Sequence, residues 1–448
     1  MTDVRSVAER RKEGEAARAP SPLTGPSRWR PAKDRPDPVA LLEEQAATRI
    51  RSLVPVRYGR MMASPFAFYR GAALPMAADL ATLPVSGIQT QLSGDAHLGN
   101  FGMFASPERD LVFDITDFDE TLVGPWEWDV VRLATSLVVA SRDRGFAAHA
   151  ARHAVHEAVT SYATRMTAYA AMPAIGVYYS NVDAQAILGF VDVRARTYLR
   201  DTIKSAAHHD ALHELPKITE MTGGVRRIID RPPAISHPPE LTAPLAEDAV
   251  RGYRESLQED RRVLLDRYRL VDWAMKVVGI GSVGLAAFVA LLIGTGDDDP
   301  LFLQAKEAEA SILERFLAPS PYPSHGERIV IGQRRLQATS DVLLGWTVGP
   351  GGRHVYVRQL QDQKGVAVVE AMTADDLEEW GELCAWTLAR GHARSGDPAL
   401  IAGYLGDGEA FGHAVADFAI AYADQTERDL GALKTAIKGG RVKAEPGV

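Results

Sequence analysis

The spacing of apolar residues predicts several helices in the first half of the chain. Apolar positions recur three and four residues apart, which places them on one face of a helix. Between these segments lie short apolar runs typical of strands, two of them joined by the turn sequence SPERD. The predicted helices are 38–62 with a terminal turn, 66–81 interrupted at Pro75, 126–140, 145–171 and 182–214; the predicted strands are 87–92, 101–105 and 111–115.

The pattern changes after a Gly-Gly turn at 223–224 and a proline-rich linker at 231–244. Strands then dominate, and the PGG sequence between two alternating runs predicts a β-hairpin at 341–360. We therefore predict an α+β fold. The segments in order are a charged helix at 246–271, two strands around a glycine-rich loop, a strand at 301–305, helices at 307–317 and 327–339, the hairpin, and helices at 374–394 and 409–438.

Composition narrows the class of protein. The chain has 448 residues, of which 46% are hydrophobic and 24% charged, and its formal net charge is -8. This acidic balance argues against nonspecific binding of nucleic acid. A single cysteine, Cys384, excludes an intrachain disulfide framework and fits a reducing cytoplasm. Residues 1–36 have no apolar signal core, and their mixture of charge, proline and serine predicts a disordered or loosely attached terminus.

One segment has the length of a membrane span. The 20 residues between Lys276 and Asp297 carry no charge. Five of them are glycine, however, and each glycine weakens a helix by up to about 1 kcal/mol relative to alanine. We therefore expect no membrane insertion.

Polar residues concentrate in two neighbouring motifs. The first, GDAHLGN, places Asp95 and Asn100 five residues apart in a glycine-bounded loop. Such a loop suits phosphoryl transfer, in which a carboxylate accepts the proton of the attacking hydroxyl and an amide oxygen holds a metal ion. For this heptapeptide alone, the favoured interpretation is a turn in which Asp95 and Asn100 cap the neighbouring backbone and His97 donates a local hydrogen bond. In the second motif, LVFDITDFDE, acidic residues follow an apolar strand. They are compatible either with a magnesium-binding site or with a solvated turn.

Together the two motifs resemble the catalytic core of kinase-like phosphotransferases, especially the aminoglycoside and choline kinase branch. That branch has Gly-Asp-x-x-x-x-Asn, a strand ending in Asp-Phe, and a further Asp twelve residues later that opens a helix; Asp117 and Asp129 have this spacing. The resemblance implies that Asp95 is the catalytic base, that Asn100 and Asp117 bind magnesium, and that Asp129 braces the loop. Asp119 is a candidate for a second ion. The branch usually has His before Gly-Asp, where this chain has Ser93.

A nucleotide-phosphate loop is predicted downstream of these motifs. The sequence GIGSVG fits G-x-G-x-x-G, and Lys306 follows 22 residues after its last glycine at the end of a predicted strand. In a kinase, glycines let backbone N–H groups approach the phosphates and the lysine contacts them as a point charge. A dinucleotide site or a purely structural loop are the alternatives. The predicted phosphate-binding residues are Gly279, Gly281, Ser282, Gly284 and Lys306.

Because this loop follows the catalytic motifs, we predict a circularly permuted, bilobal protein-kinase-like fold. Its large lobe is mostly helical and its small lobe is an antiparallel sheet. The predicted divisions are the terminus 1–36, the catalytic-loop lobe 37–245, the nucleotide-binding lobe 246–365 and completing helices 366–448. A carboxylate partner for Lys306 stays open among Glu309, Glu314 and Glu327. His208, His209 and His213 have metal-like spacing but are interpreted as a solvated helix face.

Taken end to end, the chain resembles the bacterial domain-of-unknown-function 2252 family. Seven segments carry that resemblance: FAFYRGAA, GDAHLGNFG, FDITDFDETLVGPWEWDVVRLATS, KVVGIGSVG, DPLFLQAKEA, GQRRLQATSDVLLGW and LARGHARSGD. The kinase-like motifs imply an enzyme that uses ATP and magnesium to phosphorylate an unidentified hydroxyl-bearing small molecule or protein. The alternatives are a nucleotidyl-transferring variant and a catalytically silent nucleotide-binding or scaffold protein with the same fold.

Overall fold

A computed structural model describes residues 5–190, 211–232, 234–237, 242–276, 283–296, 299–360, 365–366 and 368–445. Within these residues the chain combines long helices with antiparallel sheets, which confirms the α+β prediction. The helices are α1 Val7–Ala16, α2 Pro38–Ala46, α3 Val54–Met61, α4 Pro65–Gly71, α5 Ala73–Leu80, α6 Glu127–Asp143, α7 Ala148–Ala171, α8 Ala174–Tyr179, α9 Ala184–Phe190, α10 Ala211–Ile218, α11 Ala243–Ser256, α12 Glu259–Leu265, α13 His325–Leu336, α14 Ala374–Ser395, α15 Pro398–Leu405 and α16 Glu409–Lys438.

All strand pairs are antiparallel, and the largest sheet has the order β11-β12-β10-β9-β8-β7. Smaller sheets pair β1 with β4, β2 with both β13 and β3, and β5 with β6. The strands are β1 Gln89–Leu92, β2 Phe101–Ala105, β3 Leu111–Ile115, β4 Leu122–Pro125, β5 Thr219–Thr222, β6 Val225–Ile228, β7 Ile235–Ser236, β8 Arg269–Lys276, β9 Ala287–Ile293, β10 Pro300–Glu307, β11 Gly345–Val348, β12 His354–Gln359 and β13 Gly365–Val366.

The main hydrophobic core joins helices from distant parts of the sequence. Helix α6 is buried along almost its whole length between α7, α14 and α16. Trp126, just before α6, stacks on Tyr162 of α7 with ring centroids 5.5 Å apart. Such aromatic packing contributes about 0.5–1.5 kcal/mol beyond the burial of area. The β1–β4 and β2–β3 pairs pack on this same core, which fixes the position of the loops that follow them.

The predicted loose N-terminus is wrong for residues 5–36. Ser6 begins α1 with a capping box, and α1 packs along α15 so closely that a Cβ on Gly14 would lie 2.0 Å from the Leu400 carbonyl oxygen. Arg35 pairs with Asp79 at 2.8 Å and with Asp429 at 2.7 Å. The prediction was based on charge and proline content. It failed because charged side chains of this segment form ion pairs with helices elsewhere in the chain.

The predicted boundary at 246 also needs correction. Residues 211–236 belong with the large sheet: β7 pairs with β8, and Ile228 and Ile235 share a core with Val289 and Phe302. The part of the chain that packs with the large sheet thus begins before the proline-rich linker. Pro75 does not interrupt its helix either; the break falls at Ala72, and Pro75 lies in the first turn of α5, where a missing N–H costs nothing.

Several local predictions are confirmed, including β2 and β3 at their predicted bounds and α16 over 409–438. Cys384 is fully buried. Among the described residues, no helix has the length and apolar character needed to cross a membrane. The described end of the uncharged segment forms β9 instead, in the interior of the large sheet.

An acidic cluster between α7 and α14 predicts a pH-dependent stability. Burial and the neighbouring carboxylates of Glu157, Glu378 and Glu379 raise the pKa of Glu382 to about 7. The ionised form is therefore disfavoured in the folded state, and its contribution to stability falls as pH rises from about 4.5 to about 7. We expect Glu382→Gln to stabilise the protein at pH 8 by on the order of 1 kcal/mol, since solvent screens the partly exposed group, and to change little at pH 4.5.

Thermal unfolding of the variant and the wild type at both pH values measures this difference. Glu370→Gln, at an exposed position, is the matched control and should shift the midpoint at neither pH. An equal effect of Glu382→Gln at pH 4.5 and pH 8 would show that the side chain acts through packing and not through its charge.

Candidate active site

The loop after β1 holds Asp95 at one end of α6. Gly94 precedes it with φ 88°, and a Cβ there would lie 2.2 Å from the Glu120 carbonyl oxygen, so only glycine fits. Asp95 accepts hydrogen bonds at Oδ1 from Arg132 of α6, with the Nε atom 2.8 Å away. Oδ2 lies 3.8 Å from His97 Nε2. Burial raises the pKa of Asp95, and the Arg132 charge opposes that shift.

Asp129 connects the start of this loop to the helical core. Its carboxylate accepts the backbone N–H groups of Ser93 at 2.6 Å and Gly94 at 3.0 Å. Behind it, His392 Nε2 lies 3.3 Å from Asp129 Oδ2, and His392 Nδ1 lies 2.8 Å from the Tyr162 hydroxyl. These are the contacts that a bracing role requires, and Ser93 contributes to them through its backbone.

Asn100 ends a short 3-10 helix, Leu98–Asn100, between Asp95 and β2. Its side-chain amide donates a hydrogen bond to the Asp95 carbonyl oxygen at 2.8 Å, which leaves Oδ1 as its remaining ligand atom. His97 caps the same helix by accepting the Gly99 N–H at 3.1 Å. The side chains of Asn100 and His97 therefore shape the loop, whereas Asp95 pairs with Arg132 and does not cap the backbone as the turn interpretation expected. Binding of a metal by Asn100 stays a prediction.

The two aspartates at the end of β3 have different surroundings. Asp114 is buried: it accepts a hydrogen bond from Arg390 at 2.6 Å and one from the Ala338 N–H at 3.0 Å. Asp117 lines a cleft, and its Oδ1 accepts the Asp119 N–H at 3.1 Å. The side chain of Asp117 is thus placed where a ligand can reach it, whereas Asp114 is committed to an internal ion pair.

Asp119 brings the acidic motif and the large sheet together. Its Oδ1 accepts the Tyr356 hydroxyl at 2.8 Å, and its Oδ2 lies 3.7 Å from Lys306 Nζ. Burial opposes a charge on Lys306, but the Asp119 carboxylate, Tyr356 and Asp117 outweigh it and raise the pKa of the lysine. Lys306 and the acidic motif therefore meet in space although about 190 residues separate them in sequence.

Arg328 of α13 also connects the acidic motif to the segment that follows β10. Its guanidinium donates to the carbonyl oxygens of Thr121 at 2.6 Å, Asp119 at 2.8 Å and Glu309 at 2.9 Å. Of the three carboxylates considered as partners of Lys306, Glu314 instead lies 3.9 Å from Arg328 Nε and caps the Ile312–Arg315 turn. The carboxylate beside Lys306, which could not be chosen from the sequence, belongs to Asp119.

One cleft collects most of these side chains. It contains about 690 Å³ of empty space, partly open to solvent, and Asp95, Asp117, Asp119 and Glu120 lie along it. Burial raises the pKa of Glu120 to about 7. Four carboxylates facing one cleft repel each other, an arrangement that a bound cation relieves. Arg49, Arg57 and Arg70 line the same cleft.

The glycine-rich loop lies at the edge of the described residues. Gly279, Gly281 and Ser282 lie outside them, so their predicted phosphate contacts stay a prediction. Gly284 has φ 93°, and its carbonyl oxygen accepts the Ile50 N–H at 2.7 Å; a phosphate contact of its own N–H stays a prediction as well. Leu285 lines the cleft, which places the end of the loop beside the carboxylates.

Several further residues that line the cleft, or contact the carboxylates that line it, were not identified from the sequence. Arg70 and Arg132 lie in the sequences FAFYRGAA and DVVRLATS. A charged residue within such an apolar helix is a signal that could have identified them. Tyr356 and Arg49 gave no local signal. His208 and His209 lie outside the described residues. A separate group of potential metal ligands, His156, Glu409 and His413, has donor atoms within 4.8 Å of one another, but none of the three lines the cleft.

Comparison with known proteins gives a family and no characterised relative. No curated protein matches the chain, and no solved structure matches it. Residues 49–436 match the family described as an uncharacterized protein conserved in bacteria, DUF2252. That match contains every residue of the cleft except Gln45. Because it spans well over half of the sequence, the chain belongs to the DUF2252 family of bacterial proteins.

Proposed function

We propose that this protein is an ATP- and magnesium-dependent phosphotransferase with a circularly permuted kinase-like arrangement. The observation that carries the proposal is the meeting of Lys306 with Asp119 and Asp117 beside the Asp95 loop. The order of elements supports it: the β8–β9 hairpin, the Lys306 strand β10, helix α13, then β11 and β12. This is the order of a kinase small lobe, placed after the catalytic segment instead of before it.

The acidic side of the cleft suits magnesium. The Asp117 carboxylate and the Asn100 side-chain oxygen are the proposed ligands, and oxygen atoms are the ligands that magnesium prefers. Bound magnesium would neutralise charge on the nucleotide phosphates. Lys306 would hold the same phosphates from the sheet, while Asp119 and Tyr356 keep its ammonium group in place.

Asp95 is the proposed catalytic base. Its Oδ1 is held by Arg132, so Oδ2 is the atom that receives the proton of the acceptor hydroxyl. As that oxygen attacks the γ-phosphorus, a new O–P bond forms and the bond from phosphorus to the bridging oxygen of ATP breaks, so that ADP leaves. Asp129 contributes by positioning the backbone of Ser93 and Gly94.

Thermal unfolding with millimolar ATP and magnesium tests this function. A ligand at about 100 times its dissociation constant stabilises the folded state by about 2.7 kcal/mol, so a clear rise in Tm is expected. A magnesium-dependent rise without any loss of γ-phosphate to water or to candidate hydroxyl acceptors would favour the silent nucleotide-binding alternative. No rise at all would remove the basis of the proposal.

We expect Lys306→Met to lower turnover by at least about 100-fold, because a preorganised charge on the transferring phosphate is lost. Phosphate release or transfer from ATP, followed at saturating magnesium, measures the effect. The exposed Lys434→Met is the matched control and should retain wild-type turnover. Wild-type turnover in Lys306→Met would show that the lysine does not contact the phosphates.

A further inference from the structure

Three arginines line the cleft together with the carboxylates. Arg49 follows α2, Arg57 lies in α3 and Arg70 ends α4. Arg49 and Arg57 are almost completely buried, with 5% and 1% of their surface exposed. We call these three residues the arginine wall.

The arginine wall has unused hydrogen-bond donors. Arg57 donates from Nη2 to Gln45 Oε1 at 2.8 Å and to the Gly71 carbonyl at 2.9 Å, but its Nε and Nη1 atoms are buried without a partner. The Nε atoms of Arg49 and Arg70 are also buried and unpartnered. Within the described part of the chain, none of the three guanidinium groups forms an ion pair with a carboxylate.

Three other buried arginines among the described residues have a carboxylate partner or several carbonyl acceptors, although Arg328 and Arg390 also keep unpartnered donors. Arg132 pairs with Asp95, Arg390 pairs with Asp114, and Arg328 donates to three carbonyl oxygens. A buried cation without a counter-charge is unfavourable. Burial and the nearby charge of Arg49 accordingly lower the pKa of Arg57 to about 9. The charges of Glu120 and Glu309 act on Arg49 and Arg57, but neither carboxylate forms an ion pair with them. The unused donors and the lack of a direct ion pair together point to a ligand anion.

The position of the wall indicates which part of the reaction it serves. Arg49 donates to the Val283 carbonyl oxygen and packs against Gly284, at the end of the glycine-rich loop. Arg70 lies beside the catalytic loop: its charge influences the pKa values of Asp95 and His97. The wall thus extends from the proposed nucleotide side of the cleft to the proposed catalytic base.

We propose that the arginine wall is an oxyanion site that binds phosphate oxygens of the reacting ligand. Arg57 offers free N–H donors at Nε and Nη1, on different edges of its planar guanidinium group, and each can donate to a phosphate oxygen. Arg70 adds charge next to Asp95. This inference rests on the proposed function in taking the ligand to be a phosphate of the transfer reaction, carried either by the nucleotide or by the acceptor.

Titration of the protein with tripolyphosphate, without nucleoside or magnesium, tests the site directly. Isothermal titration should show binding to the wild type, and Arg70→Gln should weaken it by at least about tenfold because a charge-assisted contact is lost. Arg70→Lys should restore part of the affinity. Arg51→Gln, at an exposed position near Arg49, is the matched control and should bind as the wild type does.

A second titration separates the two sources of phosphate. Orthophosphate binding that disappears at saturating ATP and magnesium assigns the site to the nucleotide, and binding that persists assigns it to a phosphorylated acceptor. Absence of tripolyphosphate binding to the wild type, or equal binding to Arg70→Gln and Arg51→Gln, overturns the site. If the site is overturned but ATP still stabilises the protein in a magnesium-dependent way, the proposed function is retained. If tripolyphosphate binds but no phosphoryl transfer from ATP occurs, the site is retained and the proposed function is rejected.

Discussion

Asp117→Asn is expected to abolish magnesium-dependent binding of ATP and to lower any turnover by at least about 100-fold. Asparagine has the same shape and its Oδ1 can still accept the Asp119 N–H, so the local fold should persist. What disappears is the negative charge at the end of β3, which the proposal assigns to the metal. Thermal shift with ATP, in the presence and absence of magnesium, separates the metal-dependent part of binding from the rest.

The control for this variant lies at the other end of the same strand. Asp110→Asn, in the exposed turn before β3, changes the same charge without touching the cleft and should leave the magnesium-dependent shift intact. Retention of that shift in Asp117→Asn would show that the twelve-residue spacing to Asp129 identified the wrong carboxylate.

Asp114→Asn is expected to destabilise the protein by about 3–5 kcal/mol, the cost of leaving a buried charge without its partner. Arg390 is completely buried, its contact with Asp114 is 2.6 Å long, and its Nε and Nη1 atoms have no other partner. The same carboxylate also accepts the Ala338 N–H, which ties the end of α13 to β3. Urea unfolding followed by circular dichroism measures the loss.

Replacing both members of this pair provides the control. Asp114→Leu with Arg390→Met exchanges the ion pair for apolar groups and should be less destabilising than Asp114→Asn alone, because no unpaired charge remains buried. A loss below about 1 kcal/mol for Asp114→Asn would contradict a structural role for the pair. Nucleotide binding by the folded fraction of Asp114→Asn should resemble the wild type, in contrast to Asp117→Asn.

The separation of these two aspartates shows what a linear pattern can identify. Asp114 and Asp117 are three residues apart in one acidic motif, and their charges are equivalent in the sequence. The spacing to Asp129 selected Asp117, and the structure places Asp117 in the cleft and Asp114 in the core. The twelve-residue spacing could identify Asp117 because only a short stretch of chain, containing one strand and the start of one helix, separates it from Asp129.

Interpretation from sequence failed where the partner was distant. The charged N-terminal residues looked disordered, yet Arg35 binds Asp79 and Asp429. Asp397 caps α15 and also pairs with Arg10, 387 residues earlier in the chain, at 3.0 Å. No local rule predicts such pairs, because an ion pair between distant residues depends on how helices pack and not on their own periodicity.

The sequence by itself determined the local parts of the proposed site: the glycine-bounded loop with Asp95, the strand that delivers Asp117, the helix that begins near Asp129, and the lysine that ends β10. Hydrophobic periodicity and turn residues act over a few positions and were sufficient for these. Only the tertiary structure decided that Asp119 is the neighbour of Lys306 and that three arginines without a carboxylate partner line the same cleft as the carboxylates. Those relations arise because packing of the sheet against the helices brings together side chains whose charges interact through space, whatever their separation along the chain.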